Sequence, residues 1–318
     1  MVGFLTVCLS SRNIIKYTFT VFTSTFNRAA SMHRVYESLQ SQTFRDFEWL
    51  IVDDGSEDDT ADLVRKWIKE ADFPIEYIKQ NHAGKHIAWN LALQKAKGYF
   101  FTIADSDGAF VPNALEKLLE VWKGIPEEDR QGYRGISCRC TTDDGAVVGS
   151  TEIPAPWLDA SEADAKYVHK LKYEMWGMSR TEVFKQYPNP NIAGMRFYPE
   201  SIIWDKMGEK YLTRYINDPL RILYSDQSNA TTVKNVNNRY KENYYLWRHI
   251  LNDLKKYAFN EPLMFAKAAI GIMRDGLLSE RRYVQILRDV KFLSCRALVF
   301  WGSPIAWVLA KRPKPSNP

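Results

Sequence analysis

Hydrophobic and polar positions follow a repeating order along the first part of the chain. "YTFTVFT" (17–23) alternates polar with apolar residues and predicts a β-strand. "MHRVYESL" (32–39) then places Met32, Val35, Tyr36 and Leu39 on one helical face. "FEWLIV" (47–52) is apolar almost throughout, the pattern of a central strand covered on both sides. In "DDGSEDDTADLVRKWI" (53–68), Ser56 and Asp59 have capping-box spacing, and Leu63, Val64, Trp67 and Ile68 form the stripe of a helix. "IEYIK" (75–79) predicts a short strand, and "HIAWNLALQKAKG" (86–98) a helix closed by Gly98. "YFFTIA" (99–104) is another buried strand, and "PNALEKLLEVWKG" (112–124) a helix from Pro112 to Gly124.

Strand and helix thus alternate four times, the signature of a parallel, doubly wound sheet. Ligands of such sheets bind beyond the carboxyl ends of the strands. The polar clusters Ser24-Thr25-Phe26-Asn27, Asp53-Asp54-Gly55-Ser56 and Asp105-Ser106-Asp107 all fall at those ends, so three loops should converge on one crevice. From about residue 141 the pattern loosens into loops and short helices, with strands expected at "YLTRYI" and "LRILYS". From Lys241 the chain reads as mainly helical.

Charge separates the two ends. From Lys241 to Pro318 there are 14 Lys or Arg against 6 Asp or Glu, whereas residues 1–240 carry 29 against 32. The basic excess in the tail points to an anionic surface as partner. The stretch "CRALVFWGSPIAWVLAKR" is apolar but is interrupted by Gly302-Ser303-Pro304 and is shorter than the roughly 20 residues a spanning helix needs. It reads as an interfacial segment with Trp301 and Trp307 at headgroup level, or as a helical hairpin packed on the protein. The apolar start "MVGFLTVCLSS" lacks a basic n-region and reads as a leader. Four scattered cysteines give no disulfide framework, and the lone Cys138-x-Cys140 reads as strand residues. A reducing cytoplasm fits best.

The chemistry lies in the carboxylates. Asp105 and Asp107 end a hydrophobic run, where two acids are costly to bury unpaired. By themselves they read either as a solvated turn or as an open site for a hard cation, Mg²⁺ or Mn²⁺, completed by water and a diphosphate. Asp53 and Asp54 suit a helix-capping turn, with one acid to spare for a base N–H or a ribose hydroxyl.

Together these segments carry a resemblance. "TVFTSTFNRA", "YESLQSQTFRDFEWLIVDDGSEDDT" and "GKHIAWNLALQKAKGYFFTIADSDGAFVP" resemble the nucleotide-sugar domain of the family-2 glycosyltransferases, densely over 17 to about 125 and weakly to about 225. The resemblance implies the GT-A fold, a Rossmann-like, mostly parallel sheet flanked by helices, and inverting transfer from a nucleotide diphosphate donor. It implies that Ser24, Asn27, Asp54, Lys85 and His86 meet the nucleotide and its phosphates, and that Asp105 and Asp107 form the D-x-D, Asp107 being the direct ligand of Mn²⁺ or Mg²⁺. Many family members carry "ED" at an acceptor-side helix. Here "GMRFYPESIIW" offers Glu200 followed by Ser201, so Glu200 is the candidate general base and Asp205 the next. Trp176 and Arg180 fall in the acceptor region, for sugar stacking and loop support or for core packing.

The expected organisation is a leader (1–16), a glycosyltransferase domain (17–240) with nucleotide-binding (17–125) and acceptor (126–240) halves, and a basic helical region (241–318). The expected activity is hexosyl transfer, with a UDP-sugar favoured, to a glycan or lipid-linked saccharide in cell-surface polysaccharide assembly. It would take place in the cytoplasm or on the inner face of the membrane, with an anionic membrane surface meeting 241–318. A polyprenyl-phosphate glycosyl synthase and a non-catalytic nucleotide-binding module are the alternatives. Nucleic acid is not expected as a partner, since no recognition motif accompanies the basic tail.

Overall fold

Apolar strands separated by amphipathic helices collapse here as their pattern requires. The structure, a computed structural model, describes residues 15–149, 152–153, 156–171, 174–224 and 239–311. Strands β1 (Tyr17–Thr25), β2 (Phe47–Asp53), β3 (Ile75–Lys79) and β4 (Gly98–Ile103) lie parallel in the order β3-β2-β1-β4. They are linked by helices α1 (His33–Gln40), α2 (Thr60–Glu70) and α3 (Lys85–Lys95). After β4 come β5 (Ala109–Phe110), α4 (Ala114–Lys123), β6 (Tyr133–Thr142), β7 (Leu158–Ala160), α5 (Glu162–Tyr167) and β8 (Met175–Arg180). Helices α6 (Thr181–Lys185) and α7 (Glu200–Gly208) and strand β9 (Leu212–Leu223) follow. The described strands form one nine-stranded sheet, extended from β4 through β8, β6 and β9 to β5, with β7 paired to β9.

Because successive strand residues face opposite ways, each central strand feeds two cores. Phe19, Val21, Trp49, Ile51 and Phe100 pack against α1, α2 and α4. Phe22, Leu50, Val52 and Phe101 pack against α3, α6 and α7. All four residues expected on the α1 stripe are buried. On α2 only Val64 and Trp67 are, while Ile68 lies outside.

Several local expectations are corrected. Gly98 opens β4 instead of capping α3. A side chain there would sit 2.2 Å from the Thr20 amide nitrogen, so the close approach to β1 requires glycine. Ser56 and Asp59 make no capping box; Asp58 accepts the Thr60 amide (3.1 Å), and the Ser56 hydroxyl takes the Asn27 amide (2.9 Å). The two strands expected at 211–225 are one bulged strand, β9, which slips register against β6 around Pro219, where no N–H is available. Cys138 and Cys140 are buried on β6 as expected. The leader at 1–16 lies outside the described residues up to position 14.

The tail is helical: α8 (Tyr240–Asp253), α9 (Pro262–Leu278), α10 (Tyr283–Asp289) and α11 (Leu293–Lys311). Contrary to expectation, α11 runs unbroken through Gly302-Ser303-Pro304. It is thereby long and apolar enough, by length and composition, to cross a membrane. These helices share a core of their own, which also takes in Ala163 and Tyr167 from α5.

One buried polar contact ties α8 to α7. His249 lies between Asp205 of α7 (Nε2 to Oδ2, 2.9 Å) and Asp253 (Nδ1 to Oδ2, 2.9 Å). Burial favours the neutral ring, but the two carboxylates outweigh it and raise the His249 pKa. A group with a raised folded-state pKa stabilises fully below its unfolded value, about 6.5, and loses that contribution as pH rises through the folded value. Melting temperature should therefore fall between neutral and alkaline pH in a component that His249→Gln removes. A pH dependence of melting that survives the substitution would contradict this.

Candidate active site

The site is built where β4 ends. Asp105 and Asp107 lie in the Asp105-Ser106-Asp107-Gly108 turn between β4 and β5, closed by the Gly108 amide on the Asp105 carbonyl (3.1 Å). Lys85 is the first residue of α3, and Glu200 the first of α7, just after Pro199. The Lys85 Nζ bonds Asp105 Oδ1 and Glu200 Oε1, each at 2.8 Å. Arg221 of β9 donates from Nη2 to Asp105 Oδ2 at 2.6 Å and reaches Glu174 at 3.7 Å.

Charge sets the protonation states. Burial would neutralise Lys85, yet Asp105 and Glu200 outweigh it and raise its pKa, so the ammonium persists. Burial would likewise protonate Asp105, but Lys85 and Arg221 hold its carboxyl well below its ordinary range. Glu174 differs: burial pushes its pKa up, opposed by Arg221 and assisted by Asp105 and Glu200.

The loop leading into Lys85 is fixed from below. The buried Asp54 carboxylate accepts from the Ala83 amide (2.7 Å), the Gly84 amide (2.9 Å) and the Gln80 side chain (2.8 Å), and His82 Nδ1 lies 2.9 Å from Oδ2. Gly84 has φ 99°, and a Cβ there would meet the Arg196 carbonyl at 2.1 Å, so no other residue fits. Asn27, at φ 53°, is likewise occupied by its own chain: its Oδ1 accepts the Glu57 amide (2.8 Å). Beside these loops Phe26, on the surface, stacks on His82 with ring centroids 4.3 Å apart.

Of the residues expected at the site, Lys85, Asp105 and Glu200 are joined directly, and Asp54 supports them through the Gly84 turn. Asp107 stands next to them, half-buried, with no hydrogen bond or ion pair among the described residues. Ser24 lies within β1, and nothing described joins it to the cluster. His86 is buried in α3, its ring nitrogens without a close hydrogen-bond partner among the described residues, and burial lowers its pKa against the opposing pull of the Arg196 backbone and Asp54. Trp176 is a core residue: it stacks on Phe110 (4.5 Å) and donates to the Ile103 carbonyl (2.7 Å). Arg180 holds the Gln131 carbonyl (3.0 Å).

Arg221 went unnoticed in the sequence. It sits in "PLRILY", an arginine inside an apolar strand, and a buried arginine implies a carboxylate partner.

The donor set fits a hard divalent cation through one residue. Both Asp105 oxygens are committed to cations, whereas Asp107 offers an oxygen with no competing partner. Among the described residues no three His, Cys, Asp or Glu side chains cluster as a closed metal cage. Any ion held here would complete its shell from water and ligand.

Residues 20–132 match the profile of glycosyl transferase family 2. That match covers about a third of the chain. A GalNAc(5)-diNAcBac-PP-undecaprenol β-1,3-glucosyltransferase of Campylobacter jejuni is 33% identical over 122 residues, 38% of this chain and 37% of the relative. A putative teichuronic acid biosynthesis glycosyltransferase of Bacillus subtilis, TuaG, is 31% identical over 102 residues, 32% of this chain and 40% of the relative. The chain therefore matches well under half the length of these relatives.

The solved structures extend the likeness in fold beyond the family 2 segment. Residues 1–349 of Staphylococcus aureus TarS, in complex with UDP-GlcNAc, align with TM-score 0.63 and 15% identity over 91% of this chain and 90% of that one. A mannosyltransferase of Pyrobaculum calidifontis, solved with GDP-Man and Mn²⁺, aligns with TM-score 0.51 and 16% identity over 93% of this chain and 82% of that one. The fold is GT-A, as the resemblance implied.

The bonds made by Asp54 within the family 2 domain generate a test. A carboxylate holding two backbone amides and two side chains should be worth about 3 kcal/mol. Asp54→Ala should lower unfolding free energy by that order in urea, with no nucleotide present. Unchanged stability would return Asp54 to a role in ligand contact alone.

Proposed function

We propose that this chain is an inverting glycosyltransferase that moves a hexosyl group from a nucleotide diphosphate donor, a UDP-sugar by preference, to a saccharide or lipid-linked saccharide. The observation that carries this reading is the shared ammonium of Lys85. It links the D-x-D turn of the nucleotide half to Glu200, which heads a helix of the acceptor half. The two relatives' names, one a PP-undecaprenol substrate and the other teichuronic acid biosynthesis, support a cell-surface polymer or its lipid-linked precursor as acceptor. Such an acceptor would place the enzyme on the cytoplasmic face of a membrane.

In the proposed reaction the acceptor hydroxyl oxygen attacks the anomeric carbon from the side opposite the diphosphate. The bond from that carbon to the diphosphate oxygen breaks, and the leaving group departs with the electron pair. Glu200 takes the hydroxyl proton. Lys85 and Arg221 are the cations placed to meet the diphosphate charge. As Lys85 turns toward the phosphates its bond to Glu200 loosens, which leaves that carboxylate free to accept a proton. When Mn²⁺ or Mg²⁺ is bound at Asp107 it supplies further charge stabilisation to the diphosphate. Ser24 and the exposed Phe26–His82 stack would border the nucleoside. Asn27, Asp54 and His86 act beneath the surface, as loop ties and packing.

Glu200→Gln keeps the shape of the side chain but cannot take a proton. Transfer should fall by about 10² to 10⁴, while donor affinity measured by calorimetry stays close to that of the parent. Near-normal transfer would move the base elsewhere, and lost donor binding would make Glu200 structural.

The cation gives a separate test. EDTA should abolish transfer, added Mn²⁺ or Mg²⁺ should restore it, and Asp107→Asn should remain folded yet no longer respond to the metal. Full transfer in chelator would show that Lys85 and Arg221 suffice.

A further inference from the structure

Helix α11 leaves an apolar face uncovered. Cys295, Val299 and Ala306 form a buried stripe against the other tail helices, and Gly302 fits over Ile270. The opposite face holds Leu293 (81% exposed), Phe300 (57%), Trp301 (78%) and Trp307 (54%), with Pro304 and Val308 between them. Only 17% of the window Leu293–Ala310 is buried. Isolated exposed apolar residues are ordinary, but a continuous stripe along a 19-residue helix calls for a partner. Phe259 (98%) and Leu263 (75%) add to it near the start of α9. Lys255, over the Phe292 ring at 4.1 Å, brings that turn to the start of α11.

We infer that this face is a membrane-docking surface, with α11 lying in the plane of an anionic bilayer. Three observations select this occupant. After Asp289 the chain contains no Asp or Glu but five Lys or Arg, at 291, 296, 311, 312 and 314, toward both ends of the apolar stretch in sequence. That charge complements anionic headgroups. In an antiparallel self-pair the same charges would bring one basic end against the other.

The second observation is the buried stripe, which commits one side of α11 to protein. Lipid can therefore reach only the other side, as for a helix in the interface. The third is Pro304. It has no N–H to donate to the Phe300 carbonyl, and a helix lacking that backbone bond suits the hydrated interface better than the acyl core. Trp301 and Trp307 have the amphipathic ring that belongs at that depth.

The inference does not depend on sugar transfer, and its test needs no donor. The full chain is sedimented with vesicles of phosphatidylglycerol and phosphatidylcholine, and with pure phosphatidylcholine. It should partition to the anionic vesicles and be released by salt. A variant carrying Phe300→Ser, Trp301→Ser and Val308→Ser should keep its circular dichroism and melting, because the three residues are exposed, yet bind at least about tenfold more weakly. Lys291→Glu with Lys311→Glu should erase the preference for anionic lipid. Absence of vesicle binding, or equal binding by the triple variant, would overturn the inference. So would a concentration-dependent dimer that the triple variant dissolves without any vesicle binding, since a second copy would then cover the face.

Discussion

The site depends on one half-buried ammonium. Lys85 serves Asp105 and Glu200 together, and Asp105 is shared with Arg221, so four side chains from four elements form one charged chain. Each member is costly to keep away from water alone, and each is tolerable because its neighbours carry opposite charge. Lys85 must therefore be aimed accurately, and the parts beneath it do that. Gly84 adopts a backbone no other residue accepts, under the Arg196 carbonyl, and Asp54 fixes the amides on either side of the turn. A lysine at a helix N-terminus works against the helix dipole, and here that cost is offset by two carboxylates.

The two acid pairs divide their labour differently. In Asp53-Asp54 both carboxylates are used for building: Asp53 takes the Ser56 amide (2.7 Å) and the Tyr77 hydroxyl, and Asp54 the next loop. In Asp105–Asp107 the first acid is tied to cations and the second is left without a partner. Carboxylates at strand ends thus serve both as scaffold and as site, and exposure together with bonding separates the two.

What could be read from the sequence was local. Strand and helix alternation survives because β2 and β4 are continuous apolar runs and β1 alternates with a period of two, both distinct from the helices' wider spacing. The meeting of Asp105 with Glu200 was legible only through family resemblance, since 95 positions separate them. The resemblance implied nucleotide contact for Asn27 and Asp54, and the structure adds backbone amides that their side chains hold, because short polar side chains near a crevice serve ligand and backbone equally well. Gly98 looked like a helix cap for the same kind of reason: the sequence shows that glycine is needed, not whether a dihedral or a neighbouring strand demands it. The tail helix was cut short at Gly302-Ser303-Pro304 because breaker residues were weighed by propensity, while packing of Gly302 on Ile270 and of Ala306 in the tail core carries the helix through them.

Helix α7 is a short rigid lever. Its first residue is Glu200, and Asp205, little more than a turn later, is gripped by His249 of the tail. A displacement of the tail helices, of the kind that adsorption onto a surface would impose, therefore reaches Glu200 without crossing a loop. Six residues of helix, from Asp205 back to Glu200, carry it, and helices transmit position with little loss. The tail and the residue that heads α7 are thus joined by one rigid element.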